Sequence, residues 1–153
     1  MSYSLGIDGV SLFTVMLTTF TTAIAILGSF NYITEKQRAF YALMLLLEAG
    51  VVGVFVATDL LLFYVFFELT LGPMYFIVGG WGGERGIYAA IKFFLYTAFG
   101  SLLVLVGILY LFYKAKTMLG ISTFAYSDML QLPLTGTEQL VLFSAFAVAF
   151  SVK

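Results

Sequence analysis

The sequence predicts an all-α membrane protein, a bundle of about five transmembrane helices, and two observations carry that prediction. The 153 residues are 62% hydrophobic and only 10% charged. An average soluble chain is about 45–50% apolar and about 25% charged, so this much apolar surface cannot be hidden in one water-soluble core of this length. The few charges also fall at intervals, and the apolar stretches between them approach the ~20 residues that a helix needs to cross the hydrocarbon layer.

Taken in order, the uncharged run between Asp8 and Glu35 predicts the first span over 10–30. Glu35-Lys36-Gln37-Arg38 is a polar loop, and the second span is predicted over 39–58, with Glu48 its one charge. Asp59 follows Thr58 at a very tight turn and is placed to cap the third span, 60–79, whose one charge is Glu68. GGWGGERG, residues 79–86, reads as a glycine-rich turn with Trp81 at interfacial height. It lacks the GK[ST] ending of a phosphate loop and follows no strand, so that reading is rejected. The fourth span is predicted over 87–113, with Lys92 near its start. In the loop that follows, Ser127 is placed to cap a short interfacial helix that Pro133 ends.

The fifth span, 139–153, is short for a bilayer and closes on Lys153 inside an apolar segment. The chain is therefore expected to be C-terminally truncated, a single transmembrane helical region cut within its last helix. The loops on the first–second and third–fourth sides hold Lys36, Arg38 and Arg85, against Lys114 and Lys116 opposite, a small positive-inside bias toward a cytoplasmic first loop. These loop charges, with Glu35 and Glu84, are expected to be solvated.

Composition also excludes functions. A net charge of −1 leaves no basic footprint for nucleic acid. Without Cys or His there are no zinc, iron–sulfur or His/Cys haem sites, no disulfides and no Cys or His catalysis. Any chemistry must run on carboxylates, lysines, hydroxyls, backbone and water, and no nucleotide motif or redox ligand is present.

Four charges sit inside spans: Glu48, Glu68, Lys92 and Lys153. Each costs about 2.5–3.5 kcal/mol at mid-bilayer, which makes each a functional candidate to be weighed against a packing role. Glu68 lies about 12 Å deep, and Pro73 cannot donate to the Leu69 carbonyl beside it, leaving a polar, kinked backbone patch next to the acid. That favours a proton-carrying carboxylate over a protonated packing contact. Glu48 precedes Gly50 and Gly53, which allow close helix approach, and its role stays open between function and packing. Lys92 falls on a Tyr88–Lys92–Tyr96 stripe, with Thr97 and Ser101 as a second polar line, a pattern that suits a lined interior better than a lysine reaching back to the interface. Lys153 needs an acid partner at its depth, and Glu68 is the natural one.

Four segments carry a resemblance: LGIDGVSLF (5–13), GVFVATDLLLFYVFFELTLGPMYF (53–76), WGGERGIYAAIKFFLYTAFGSLL (81–103) and AFAVAFSVK (145–153). In order, they resemble the M or chain 4 family of antiporter-like subunits of respiratory complex I, NADH–quinone oxidoreductase. The chain looks like that family's third to seventh spans. The resemblance implies part of an antiporter-like fold and a translocase subunit that moves protons through buried Glu and Lys residues and water, coupled to quinone reduction elsewhere. Glu68 matches the acid of the family's F-W-E-L/M motif, with Phe67 in place of the usual Trp. Lys153 matches the lysine of A-F-x-V-K, and Lys92 that of A-A-x-K-F-x-x-Y-T. It also implies that NADH, FMN, iron–sulfur clusters and quinone belong to other subunits, so that this chain binds no cofactor or metal. Its partners would be other membrane-arm subunits and the lipid bilayer, with no nucleic acid, in a bacterial, archaeal or organelle inner membrane. The rival readings are a large subunit of a multisubunit Na+/H+ antiporter, and a non-transporting scaffold whose buried charges are interhelical ties.

Overall fold

In the computed structural model, residues 4–152 are described, and among them the secondary structure is helical apart from two isolated β-bridges. Helix α1 (Gly9–Ser29) starts where Asp8 Oδ1 accepts from the backbone N–H of Val10 at 3.0 Å and Ser11 at 2.7 Å, while Ser11 Oγ accepts from Asp8 N–H at 2.8 Å. These are the orphan donors of a helix N-terminus, and the acid supplies their acceptors. Helix α2 (Gln37–Val56) begins after Lys36, which turns the chain at φ 49°. Both helices lie within two residues of the expected 10–30 and 39–58.

The third span departs from expectation. It was predicted as one helix over 60–79, and it is two: α3 (Leu60–Leu69) and α4 (Leu71–Trp81), meeting at Thr70. Pro73 supplies the reason, because it has no N–H to return to the Leu69 carbonyl. At that junction the Thr70 hydroxyl donates to the Phe67 carbonyl at 2.8 Å. Asp59 caps α3 as predicted, its Oδ1 accepting from Leu61 at 2.9 Å and Leu62 at 3.1 Å.

Helix α5 (Gly86–Met118) runs one turn beyond the predicted 87–113. It is followed by α6 (Tyr126–Met129) and α7 (Gly136–Val152). The short helix α6 is not capped by Ser127. Instead Thr123 Oγ1 accepts from Ala125 N–H at 3.1 Å and donates to Asp128 at 2.9 Å, so the turn is closed from upstream of Ser127. Counting α3 and α4 as one path, four helices among the described residues are long and apolar enough to cross a membrane, and α7 is a shorter apolar helix.

The loops gather at two ends. At one, the 57–59 turn lies between the N-terminal segment and the loop before α6: Gly6 N–H donates to Val56 O at 2.9 Å, and Leu60 N–H to Phe124 O at 2.9 Å. At the other, the Trp81 indole N–H donates to Glu35 O at 2.9 Å, joining the first loop to the third.

Helix α5 is the spine. Its Ala90, Thr97, Ser101, Val104, Ile108 and Ala115 recur three, four or seven residues apart and are buried on one face. Lipid tails are as apolar as leucine, so close packing holds this face rather than hydrophobic exclusion. Glycines make the approach possible. A Cβ at Gly100 would stand 2.6 Å from Val152, and one at Gly107 would stand 2.8 Å from Phe146, both on α7. On the outside, α1 buries no residue and exposes Val10, Phe13, Leu17 and Phe20, as a lipid-facing helix does.

Candidate functional site

Glu68 is half-buried on the last turn of α3, two residues before the break at Thr70. Its neighbour Phe67 is buried, stacks on Phe63 at 5.8 Å and meets the edge of Phe150 on α7 at 5.8 Å. Tyr64, one turn earlier and on the face of Glu68 by its i, i+4 spacing, packs against the buried cluster that joins Val104 and Ile108 of α5 to Ala149 of α7. The acid is therefore carried to the junction of α3, α5 and α7, beside an interrupted helix.

The other candidates are placed differently. Glu48 is half-buried on α2, just before the glycine seam against the α3–α4 break, where a Cβ on Gly50 would meet Thr70 at 3.0 Å and one on Gly53 would run into the Phe66 ring. The expected close approach is thus present. Lys92 is exposed, with Tyr88 at 66% and Tyr96 at 63% exposure, on the side of α5 opposite its buried line. The two polar lines of α5 therefore part: Thr97 and Ser101 turn inward, and the Tyr88–Lys92–Tyr96 stripe turns away from the other described helices. Lys153 lies outside the described residues. Among the described residues, Glu48, Glu68 and Lys92 form no ion pair.

Two features were not anticipated. Tyr64 was legible only as the residue four before Glu68. The other is a tie at the far end of α5. Lys114, expected to be solvated, instead pairs with Glu138 Oε1 at 2.6 Å, and the Tyr110 hydroxyl donates to the same oxygen at 2.6 Å. The Lys114 ammonium, then the Tyr110 hydroxyl and the Thr135 backbone N–H, lower the Glu138 carboxyl to about 2. The Thr135-x-x-Glu138 spacing, with Thr135 N–H donating to Glu138 Oε2 at 2.9 Å, is the one local sign that this acid is structural.

A cavity of about 1010 Å³ opens between the 57–59 turn, α6 and α7. Its lining includes the polar Thr58, Asp59 and Ser127 and the rings of Phe63 and Phe150. Both rings contact Phe67, the residue before Glu68. No group of His, Cys, Asp or Glu able to hold a metal ion occurs among the described residues.

A NADH-quinone oxidoreductase subunit M of Rhodobacter capsulatus is 45% identical over the whole of this chain, which spans 31% of that protein. One from Rickettsia felis is 42% identical over the whole chain and 30% of its own length. An F(420)H(2) dehydrogenase subunit M of Methanosarcina mazei is 43% identical over 85% of this chain and 26% of its own. Among solved structures, a chain of respiratory complex I from Thermus thermophilus with bound NADH superposes with a TM-score of 0.76 at 34% identity, over 97% of this chain and 30% of that one. The chain therefore spans about a third of the length of these relatives. Residues 57–153 match the transmembrane family described as NADH:quinone oxidoreductase/Mrp antiporter, and the chain belongs to that family.

Proposed function

We propose that this chain is part of a proton-translocating membrane-arm subunit of an NADH–quinone oxidoreductase, working beside other membrane-arm subunits, with the redox groups held by other subunits of the complex. The observation that carries this reading is the position of Glu68: an ionisable acid inside a membrane helix, next to a backbone break, where three helices meet. Glu68 is the proton-carrying acid and Lys153 its counter-charge. In support, Phe150 rests on Phe67, so the last turn of α7 lies against the turn that bears the acid. With Glu68 ionised, an opposite ammonium is held protonated. When the acid is neutralised, that ammonium loses its partner in a low dielectric and gives up its proton. Lys92, on the outer side of α5, hands the proton onward to parts of the subunit beyond this chain, and the role of Glu48 is a second acid on the α2 side. The cavity ending near Phe63 and Phe150 offers water a way toward the acid. The subunit M names of the relatives favour this reading over a Na+/H+ antiporter, which the family description also covers.

The test is Glu68→Gln in the full-length protein. Proton pumping is expected to be lost while the complex still assembles. Near-normal pumping would overturn the assignment.

A further inference from the structure

We infer that the cavity between the 57–59 turn, α6 and α7 is a lipid site, which takes one acyl chain along its aromatic wall and a primary-ammonium headgroup, that of phosphatidylethanolamine, at its acidic end. The volume of about 1010 Å³ suffices, since pockets for whole small molecules run to about 300–1,000 Å³. The lining is of two kinds. Phe55, Phe63, Phe146 and Phe150 bring rings from α2, α3 and α7. Asp8 and Asp59 cap the first turns of α1 and α3. The spans that start there, Gly9–Ser29 and Leu60–Trp81, hold 21 and 22 residues. Each rises about 32 Å, close to the ~30 Å of the hydrocarbon layer. The two acids therefore stand at headgroup level, and the rings lie within the apolar layer. Water gains no hydrogen bonds from such a wall, whereas an acyl chain gains contact along all of it.

The sign of the charge selects the headgroup. No lysine or arginine lines the cavity among the described residues. Each acid commits only Oδ1 to its cap: Asp8 Oδ1 accepts from Val10 and Ser11, and Asp59 Oδ1 from Leu61 and Leu62. Among the described residues, neither Oδ2 accepts a hydrogen bond, so both are open to an N–H from a cation. Pockets for anionic lipids are basic; this one has the opposite sign and repels them. Phosphatidylethanolamine brings three N–H donors, whereas the trimethylated ammonium of phosphatidylcholine has none. Ser127, which caps no helix, adds a hydroxyl to the same lining for the phosphate. This site does not rest on the reading of Glu68. A tail there takes the space through which water would approach the Phe67 turn, so lipid and water are alternative occupants.

The experiment uses the full-length protein with the subunits that accompany it, reconstituted in phosphatidylcholine vesicles. These carry a trace of phosphatidylethanolamine or phosphatidylglycerol with a photoreactive diazirine on one acyl chain. After irradiation, the labelled peptides are mapped by mass spectrometry. The phosphatidylethanolamine probe is expected to mark the peptides holding Phe63 and Phe146–Phe150 about three- to fivefold more than the phosphatidylglycerol probe, the range of a solvent-exposed charge contact. Unlabelled phosphatidylethanolamine should compete. Asp8→Asn with Asp59→Asn keeps both caps, because Asn caps a helix as well as Asp, and is expected to remove the preference between the two probes. Equal labelling by both probes in the unaltered protein, or a preference that survives the double variant, would overturn the inference. So would the absence of label from these peptides, which would mean that protein fills the space in the full-length chain. Where the double variant fails to assemble, the ratio of the two probes in the unaltered protein decides alone.

Discussion

Lys114 and Glu138 meet at 2.6 Å across the gap between α5 and α7, and they fix where α7 begins. Further along, the same two helices touch at Gly107 and Phe146, and then at Gly100 and Val152. The antiparallel register is constant along the interface, so the ion pair and the glycine contacts specify one alignment between them.

The ion pair sets a pH dependence. The Glu138 carboxyl is held at about 2, below its ordinary 4.5. A depressed acid stabilises the fold above the unfolded value and loses that contribution as pH falls from about 4.5 toward 2. Thermal unfolding of the protein in detergent is expected to show this loss, and Glu138→Gln to lower the unfolding temperature at neutral pH while flattening the acid slope. The same slope in both proteins would contradict the role assigned to the pair.

Gly53 has no room for a side chain, because a Cβ there would enter the Phe66 ring. Gly53→Ala is expected to destabilise by about 1–3 kcal/mol through overpacking. Gly28 has nothing within 4 Å, and Gly28→Ala should be neutral or stabilising by up to about 1 kcal/mol from helix propensity. Chemical denaturation of both variants checks the contrast, and equal effects would mean that the α2–α3 seam is looser than described.

Pro73→Ala restores the N–H that α4 lacks at its third residue. The variant is expected to join α3 and α4 into one straighter helix, to leave assembly intact and to depress proton pumping severalfold. Pumping at the unaltered level, with the helix joined, would show that the break at Thr70 is not needed.

Local chemistry made much of this legible in the sequence. Asp59 as a cap, Gly50 and Gly53 as a close approach, and Pro73 as a polar interruption each follow from one residue and its immediate neighbours. The break itself was underestimated, since a proline's missing hydrogen bond does not say whether a helix bends or divides. The two polar lines of α5 could not be ranked, because spacing along one helix does not tell which face its neighbours cover. The Lys114–Glu138 pair was invisible for a related reason: its partners are separated by a loop, and only the α5–α7 packing brings them together.

Helix α5 is longer than the membrane is thick. Its 33 residues rise about 50 Å, against about 30 Å of hydrocarbon. Even a steep tilt of about 40° leaves a vertical reach of about 38 Å, so part of the helix stands in the headgroup layer. The polar end is the C-terminal one, with Lys114, Lys116 and Thr117. That end is a post from which the loop toward α7 hangs, and its ion pair transmits the post's height to α7. A thinner bilayer would tilt this over-long helix further and a thicker one would let it stand, so the lipid's acyl-chain length becomes a mechanical load on the very helix whose Phe150 lies against Phe67, next to Glu68.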